Sequence, residues 1–132
     1  MKLITRDTDY AIRALCFIVK QKKDIITVDD LVNKIMVPKP FIRKILQKLN
    51  KSGLLKSYKG KGGGFRQAFN PSRINIADLI RIFQGQLKLN EHLFKKGACP
   101  HVKDCNLRKK LDSIEKTVFY ELKSITIESL IK

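Results

Sequence analysis

Within residues 39–51, Phe41, Ile42, Ile45, Leu46 and Leu49 recur at helical spacing, and Lys39, Arg43, Lys44, Gln47, Lys48 and Lys51 crowd the remaining faces without one acid. A helix of this kind buries a single stripe and shows cations on every other side. A merely solvated helix mixes signs, because i,i+4 pairs of opposite charge support it. Gly53 supplies the usual stop. Two short extended segments, 54–58 and 65–69, then flank Lys59-Gly60-Lys61-Gly62-Gly63-Gly64, the pattern of a hairpin with a glycine-rich, basic tip.

What precedes the basic helix restricts the fold further. Ala11, Ile12, Leu15, Ile18 and Val19 mark a first helix over residues 8–21, with Cys16 on the same apolar face. Thr27 and Asp30 form a capping-box start for a short helix carrying Val28, Leu31, Val32 and Ile35 and ending near Met36. Val37-Pro38-Lys39-Pro40 makes a tight connection, since proline keeps the residue before it out of helical geometry, and Pro40 suits a first helical turn. Two helices, a short turn, a basic helix and a basic hairpin in that order predict a winged helix-turn-helix. The fold class is therefore mainly α with a small β-hairpin.

Charge agrees with this assignment. The chain has 28 Lys and Arg against 12 Asp and Glu, a net +16 over 132 residues. Residues 1–70 hold +11 of it and residues 71–132 only +5. Such an excess calls for a polyanion, and its location puts the grip in the first half. The pattern predicts double-stranded DNA as the partner. Arg43, Lys44 and Gln47 are expected to approach base edges or phosphates in the major groove, with Lys39 near the helix start. Lys59, Lys61 and Arg66 are expected on backbone or minor groove, and Arg6, just before the first helix, on a phosphate.

Several classes drop out. The longest apolar run, residues 14–19, spans six positions, far below the roughly 20 that cross a bilayer. No membrane association or export is expected, and the chain is assigned to the cytoplasm. Three cysteines are an odd number for a disulfide framework and fit a reducing compartment. The wing glycines do not precede a Gly-Lys-Ser/Thr that opens a helix, so they are no phosphate-binding loop. No nucleophile–base set or carboxylate pair has a context suggesting catalysis, and the chain is not expected to be an enzyme.

Downstream of the wing, Asn75 caps a helix over 76–84 with Ile76, Leu79, Ile80 and Phe83 inward, and Gly85 stops it. Residues 86–105 lack a repeat and contain both histidines, His92 and His101, and two cysteines, Cys99 and Cys105. A loop this long in a small domain is usually functional or disordered. The final long helix, 106–124, carries Leu107, Leu111, Ile114, Val118 and Leu122, with Ile125 after them, at steps of 4, 3, 4, 4 and 3, a near-heptad seam. That seam predicts a homodimer, since paired half-sites need paired domains.

Taken together, Thr8-Asp9-Tyr10-Ala11-Ile12-Arg13-Ala14-Leu15, the string Gly62-Gly63-Gly64-Phe65-Arg66, Ala98-Cys99-Pro100 through Cys105-Asn106-Leu107-Arg108, and Ser124-Ile125-Thr126-Ile127-Glu128-Ser129-Leu130 resemble a known family over essentially the whole chain. It is the bacterial winged-helix regulators that include IscR, NsrR and CymR, the Rrf-type transcriptional regulators. The resemblance implies a dimeric transcription factor, a repressor in many members, often holding an iron–sulfur cluster that senses iron, redox or nitric oxide status. Some members are instead cofactor-free and work through a protein partner or thiol oxidation. It divides the chain into a DNA-binding domain (1–85), a cofactor or sensor loop (86–105), and a dimerisation helix with a closing segment that packs back on the DNA-binding domain (106–132).

The resemblance also suggests a ligand set, with two departures. Members commonly place a serine-like cap where Pro38 stands, and cluster-bearing members use three loop cysteines where this chain has two. In members spaced Cys-x6-Cys-x5-Cys the first cysteine falls on His92, so His92, Cys99 and Cys105 stand at the matching positions. NsrR-like members add an aspartate from the opposite subunit's first helix, matched here by Asp9. His101 and Asp104 are the other loop candidates for a fourth ligand, and Asp9 has the rival role of capping the first helix. The set suits a 2Fe-2S cluster first, a 4Fe-4S cluster second, and zinc as the alternative metal.

Overall fold

The computed structural model describes residues 2–88 and 105–132. Its elements are α1 (Arg6–Lys20), α2 (Val28–Ile35), α3 (Lys39–Lys51), β1 (Leu55–Tyr58), β2 (Gly64–Gln67), α4 (Ile76–Gln84), α5 (Asn106–Lys123) and α6 (Ile127–Ile131). β1 and β2 form an antiparallel pair in which Lys56 faces Arg66 and Ser57 faces Phe65. This is the winged helix-turn-helix that the sequence predicts. No described helix is long and apolar enough to cross a membrane.

The inward stripe of each helix supplies the core. Ala11, Leu15 and Ile18 of α1, Leu31 of α2, and Ile42, Ile45, Leu46 and Leu49 of α3 pack with Leu79 and Ile80 of α4 in one cluster. α1 starts two residues earlier than its apolar periodicity indicates. Thr5 is its N-cap, its hydroxyl accepting the Thr8 N–H, so Arg6 lies inside the first turn. Asp9 is therefore not the cap. Thr8 turns inward and is fully buried.

α2 begins with the expected capping box between Thr27 and Asp30 and ends on Met36, whose backbone is left-handed at φ 62°. α3 starts on Pro38 without a side-chain cap. Its end is conventional, with Gly53 in the left-handed region at φ 87° and the Leu54 N–H returning to the Leu49 carbonyl at 3.0 Å. The strands are shorter than the expected segments because Leu54 and Phe69 lie outside the ladder. Leu54 joins the core, and its carbonyl accepts the Ala68 N–H.

A third extended piece stiffens the wing. Ile26 and Phe65 exchange two backbone hydrogen bonds of 2.8 Å, tying the α1–α2 connection to β2. This crossing explains Gly64, and the hairpin turn itself explains Gly63. A Cβ on Gly64 would stand 2.6 Å from the Ile26 carbonyl oxygen, and one on Gly63 would collide with the Tyr58 carbonyl.

The chain end returns to the first half. Ile127 N–H donates to the Ile74 carbonyl at 2.9 Å, and Ile76 N–H to the Ile125 carbonyl at 3.0 Å. α6, capped by Thr126, packs on α1 and buries Ile127 completely. The seam of α5 divides between two fates. Leu122 is 6% exposed and belongs to the protomer's own core, and Val118 packs against that core. Leu107 and Ile114 remain 61% and 53% exposed.

Candidate nucleic-acid interface

Burial of Ile42, Ile45, Leu46 and Leu49 fixes which way α3 faces, and the rest of the helix follows from 3.6 residues per turn. Arg43, Lys44, Gln47, Lys48 and Lys51 are all exposed. Not one acid interrupts them. The second helix of a helix-turn-helix enters the major groove by such a face, with its first turns nearest the bases.

Neighbouring elements hold several of these cations in place. Lys39 Nζ lies 2.9 Å from Asp29 Oδ1 on α2, and Lys44 Nζ lies 3.7 Å from Asp7 Oδ2 on α1. The Lys48 ammonium stands over the Phe83 ring at 5.4 Å, and the Arg6 guanidinium over Phe41 at 5.0 Å. Exposed ion pairs of this kind contribute little to stability, roughly 0–1 kcal/mol each. They orient long side chains more than they bind them. Arg6 thus stands at the flank of α3.

On the wing, Lys59 and Lys61 are exposed at the tip. Behind them lies a pair that the sequence reading did not single out. Lys56 and Arg66 face each other across the ladder, and both stand over Tyr58, at 5.9 and 5.4 Å. Like charges opposite one another destabilise a hairpin, and the aromatic face offsets part of that cost. Only strand register reveals this pair, because its members stand ten positions apart in the sequence. An anion laid along the hairpin would relieve it.

The suggested metal ligands are placed in part. Cys105 is the N-cap of α5, its Sγ accepting the Arg108 N–H at 3.4 Å. Asp9 lies on the first turn of α1, half-exposed, with its carboxylate 3.1 Å from Arg13 Nε. His92 and Cys99, with His101 and Asp104, lie outside the described residues. Among the described residues no three His, Cys, Asp or Glu side chains gather as a metal site. Cys16 is half-buried on α1, and that burial pushes its thiol pKa up, against a smaller opposing effect of Lys20.

A family model described as "Rrf2: Iron-dependent Transcriptional regulator" matches residues 4–132. The HTH-type transcriptional regulator NsrR of Oceanobacillus iheyensis is 30% identical over 128 residues, covering 95% of this chain and 86% of the relative. NsrR of Bacillus licheniformis is 28% identical over 133 residues, covering 99% and 92%. Among solved structures, CymR, the global cysteine regulator of B. subtilis, matches with a TM-score of 0.77 at 20% identity, covering 99% of this chain and 97% of that one. T. potens IscR matches with a TM-score of 0.75 at 22% identity, covering 99% and 86%. At these identities the structural likeness speaks for the fold.

Proposed function

Because this chain belongs to the Rrf2 family of transcriptional regulators, we propose that it is a homodimeric, sequence-specific DNA-binding regulator that sets two α3 helices in successive major grooves and two hairpins on the flanking backbone. The observation that carries this reading is the acid-free outer face of α3, continued by the cations of the wing. Arg43 and Gln47 have the groups that pair with guanine and adenine edges, and Lys44 and Lys39 reach bases or phosphates. Lys59, Lys61 and Arg66, with Arg6 at the other flank, position the duplex. The exposed Leu107 and Ile114, with the half-buried Leu111, offer the dimer seam, and Val118 and Leu122 root that helix in its own protomer.

In the same reading, cofactor status in the 86–105 loop controls DNA binding. Cys105, Cys99 and His92, with Asp9 of the partner subunit, make a donor set of two thiolates, an imidazole and a carboxylate. That chemistry fits a 2Fe-2S cluster before a 4Fe-4S one, and zinc as the rival. The setting of Cys105 at a helix N-terminus and the exposed carboxylate of Asp9 suit ligation. A bound cluster would supply a redox- and nitric-oxide-sensitive link across the dimer. The residues themselves do the rest: Cys105 caps the start of α5, and Asp9 pairs with Arg13 along the outer side of α1.

The test is anaerobic purification with iron supplied, followed by iron and sulfide analysis and genomic footprinting with and without the cofactor. Coloured protein that loses its colour in Cys99→Ser and Cys105→Ser variants supports the cluster. Colourless, iron-free protein that still footprints discrete operators identifies a cofactor-free regulator, governed by a protein partner or by thiol oxidation. Failure to prefer any sequence over bulk DNA overturns the regulator reading.

A further inference from the structure

The middle of the outer face of α3 is a single line of residues. With Ile42, Ile45, Leu46 and Leu49 buried, steps of three and four residues align Pro40, Lys44, Gln47 and Lys51 directly opposite, all exposed. Pro40 stands at the head of that line, at the end of the helix that goes deepest into a groove. It is an apolar ring in the midst of cations.

The surroundings of Pro40 are poor for gripping phosphate. A helix N-terminus ordinarily offers free N–H groups to an anion. Here Pro40 has none, and the N–H groups of Phe41 and Ile42 both donate to the Pro38 carbonyl, at 3.1 and 3.3 Å. Nor does a side chain cap this end. The nearby cations are oriented by neighbours, Lys39 by Asp29, Lys44 by Asp7 and Arg6 by Phe41, and leave the Pro40 ring as the uncharged point between them. Met36, in the turn that leads into α3, is 82% exposed on a left-handed backbone, so the approach to the helix is apolar as well. The apolar feature that a base pair presents in the major groove is the 5-methyl group of thymine.

Resting on the reading of α3 as the recognition helix, we propose that Pro40 is a specificity-determining residue whose ring packs against a thymine methyl group in each half-site of the operator. Lys44 and Gln47, one and two turns along the same line, then read the adjoining positions by hydrogen bonding. The contact supplies selectivity for thymine over cytosine or uracil at one position, and none for the backbone.

The experiment uses the full chain and an operator selected from randomised duplexes. Each thymine is replaced in turn by deoxyuridine, which pairs identically and lacks only the methyl group. Wild-type protein is expected to lose about fourfold in affinity at one thymine per half-site, the worth of one buried methyl group. Pro40→Ser is expected to bind thymine and uracil operators alike, and Pro40→Ala, still apolar, to keep part of the preference. Thermal melts establish that both variants fold. Indifference of the wild type to every uracil substitution, or a preference that survives unchanged in Pro40→Ser, overturns the proposal. Arg43→Ala, Lys44→Ala and Gln47→Ala separate it from its premise: if they weaken operator binding, α3 remains the reading helix whatever Pro40 does. If all three bind at wild-type strength, the premise falls with the proposal.

Discussion

Thr8 on α1 and Gln84 on α4, 76 positions apart, share a 2.7 Å hydrogen bond in which the Thr8 hydroxyl donates to Gln84 Oε1. The same oxygen accepts the Thr5 N–H at 2.9 Å, and Gln84 Nε2 donates to the Leu3 carbonyl at 3.2 Å. One amide thus joins the start of α1 to the end of α4. Gln84→Ala would take that acceptor from the Thr5 N–H and from the fully buried Thr8 hydroxyl, which keeps only the Thr5 hydroxyl at 3.2 Å. The expected cost is about 1–3 kcal/mol, read as a lower denaturation midpoint with an unchanged slope. A midpoint equal to wild type would mean that water replaces the amide there.

DNA contacts fall into two groups with different signatures. Arg43→Ala should relax base preference at one or two operator positions, at about 1–3 kcal/mol for a lost bidentate pair. Lys61→Ala should weaken specific and bulk DNA alike, and lower the slope of log affinity against log salt by about one. Titrations on operator and scrambled duplexes at several salt concentrations distinguish the two. Unchanged affinity for both variants at low salt would remove α3 and the wing from the interface.

Ile114 is exposed in the protomer, whereas Leu122 is committed to its core. Ile114→Glu should therefore dissociate the proposed dimer without unfolding the chain, because the carboxylate would be buried unpaired only in that assembly. Light scattering should report a monomer with a normal circular dichroism spectrum and loss of palindrome binding. Leu122→Glu should instead unfold the chain. A wild-type monomer that binds a lone half-site at full strength would rule out the seam.

Asp30 gives a pH prediction whose sign follows from its partners. Its carboxylate accepts the Thr27 N–H at 3.0 Å, and that hydrogen bond holds its pKa below the ordinary 3.8 against the opposing effect of desolvation, with the Thr27 hydroxyl and Lys23 as lesser aids. A depressed carboxylate stabilises the fold fully above its unfolded pKa, and the gain is lost as pH falls through the folded value. Wild type should thus exceed Asp30→Asn by a constant margin from pH 7 down to about 5. Below that range the margin should shrink towards zero. Chemical denaturation at several pH values measures it, and a gap that widens in acid would contradict the capping role.

Local chemistry made much of this legible in advance. The capping residues Thr27 and Asn75, the stripes of α1 to α4, and the glycine tip of the hairpin are signals written within a few positions of one another. Long-range pairings were not. The Ile26–Phe65 crossing joins residues 39 apart, and no periodicity marks it. The start of α1 was set too late because Arg6 and Asp7 are polar, and an apolar count begins only where the core does. At the interface the separate cations were readable, but Lys56 opposite Arg66 over Tyr58 depends on register. Thr5 fills the cap that the sequence also allows Asp9, since either residue type serves at a helix start.

The uneven burial of α5 makes that helix a cantilever. Its root, at Val118 and Leu122, packs against the body's core, and Leu107, at its other end, is 61% exposed. At ~1.5 Å per residue, the arm from Leu122 to Leu107 is about 22 Å long. A tilt at the root too slight to disturb packing is multiplied at the tip, and a displacement forced on the tip arrives at the root diminished in distance and increased in force. The body on which α3 is mounted therefore feels the far end of α5 as torque.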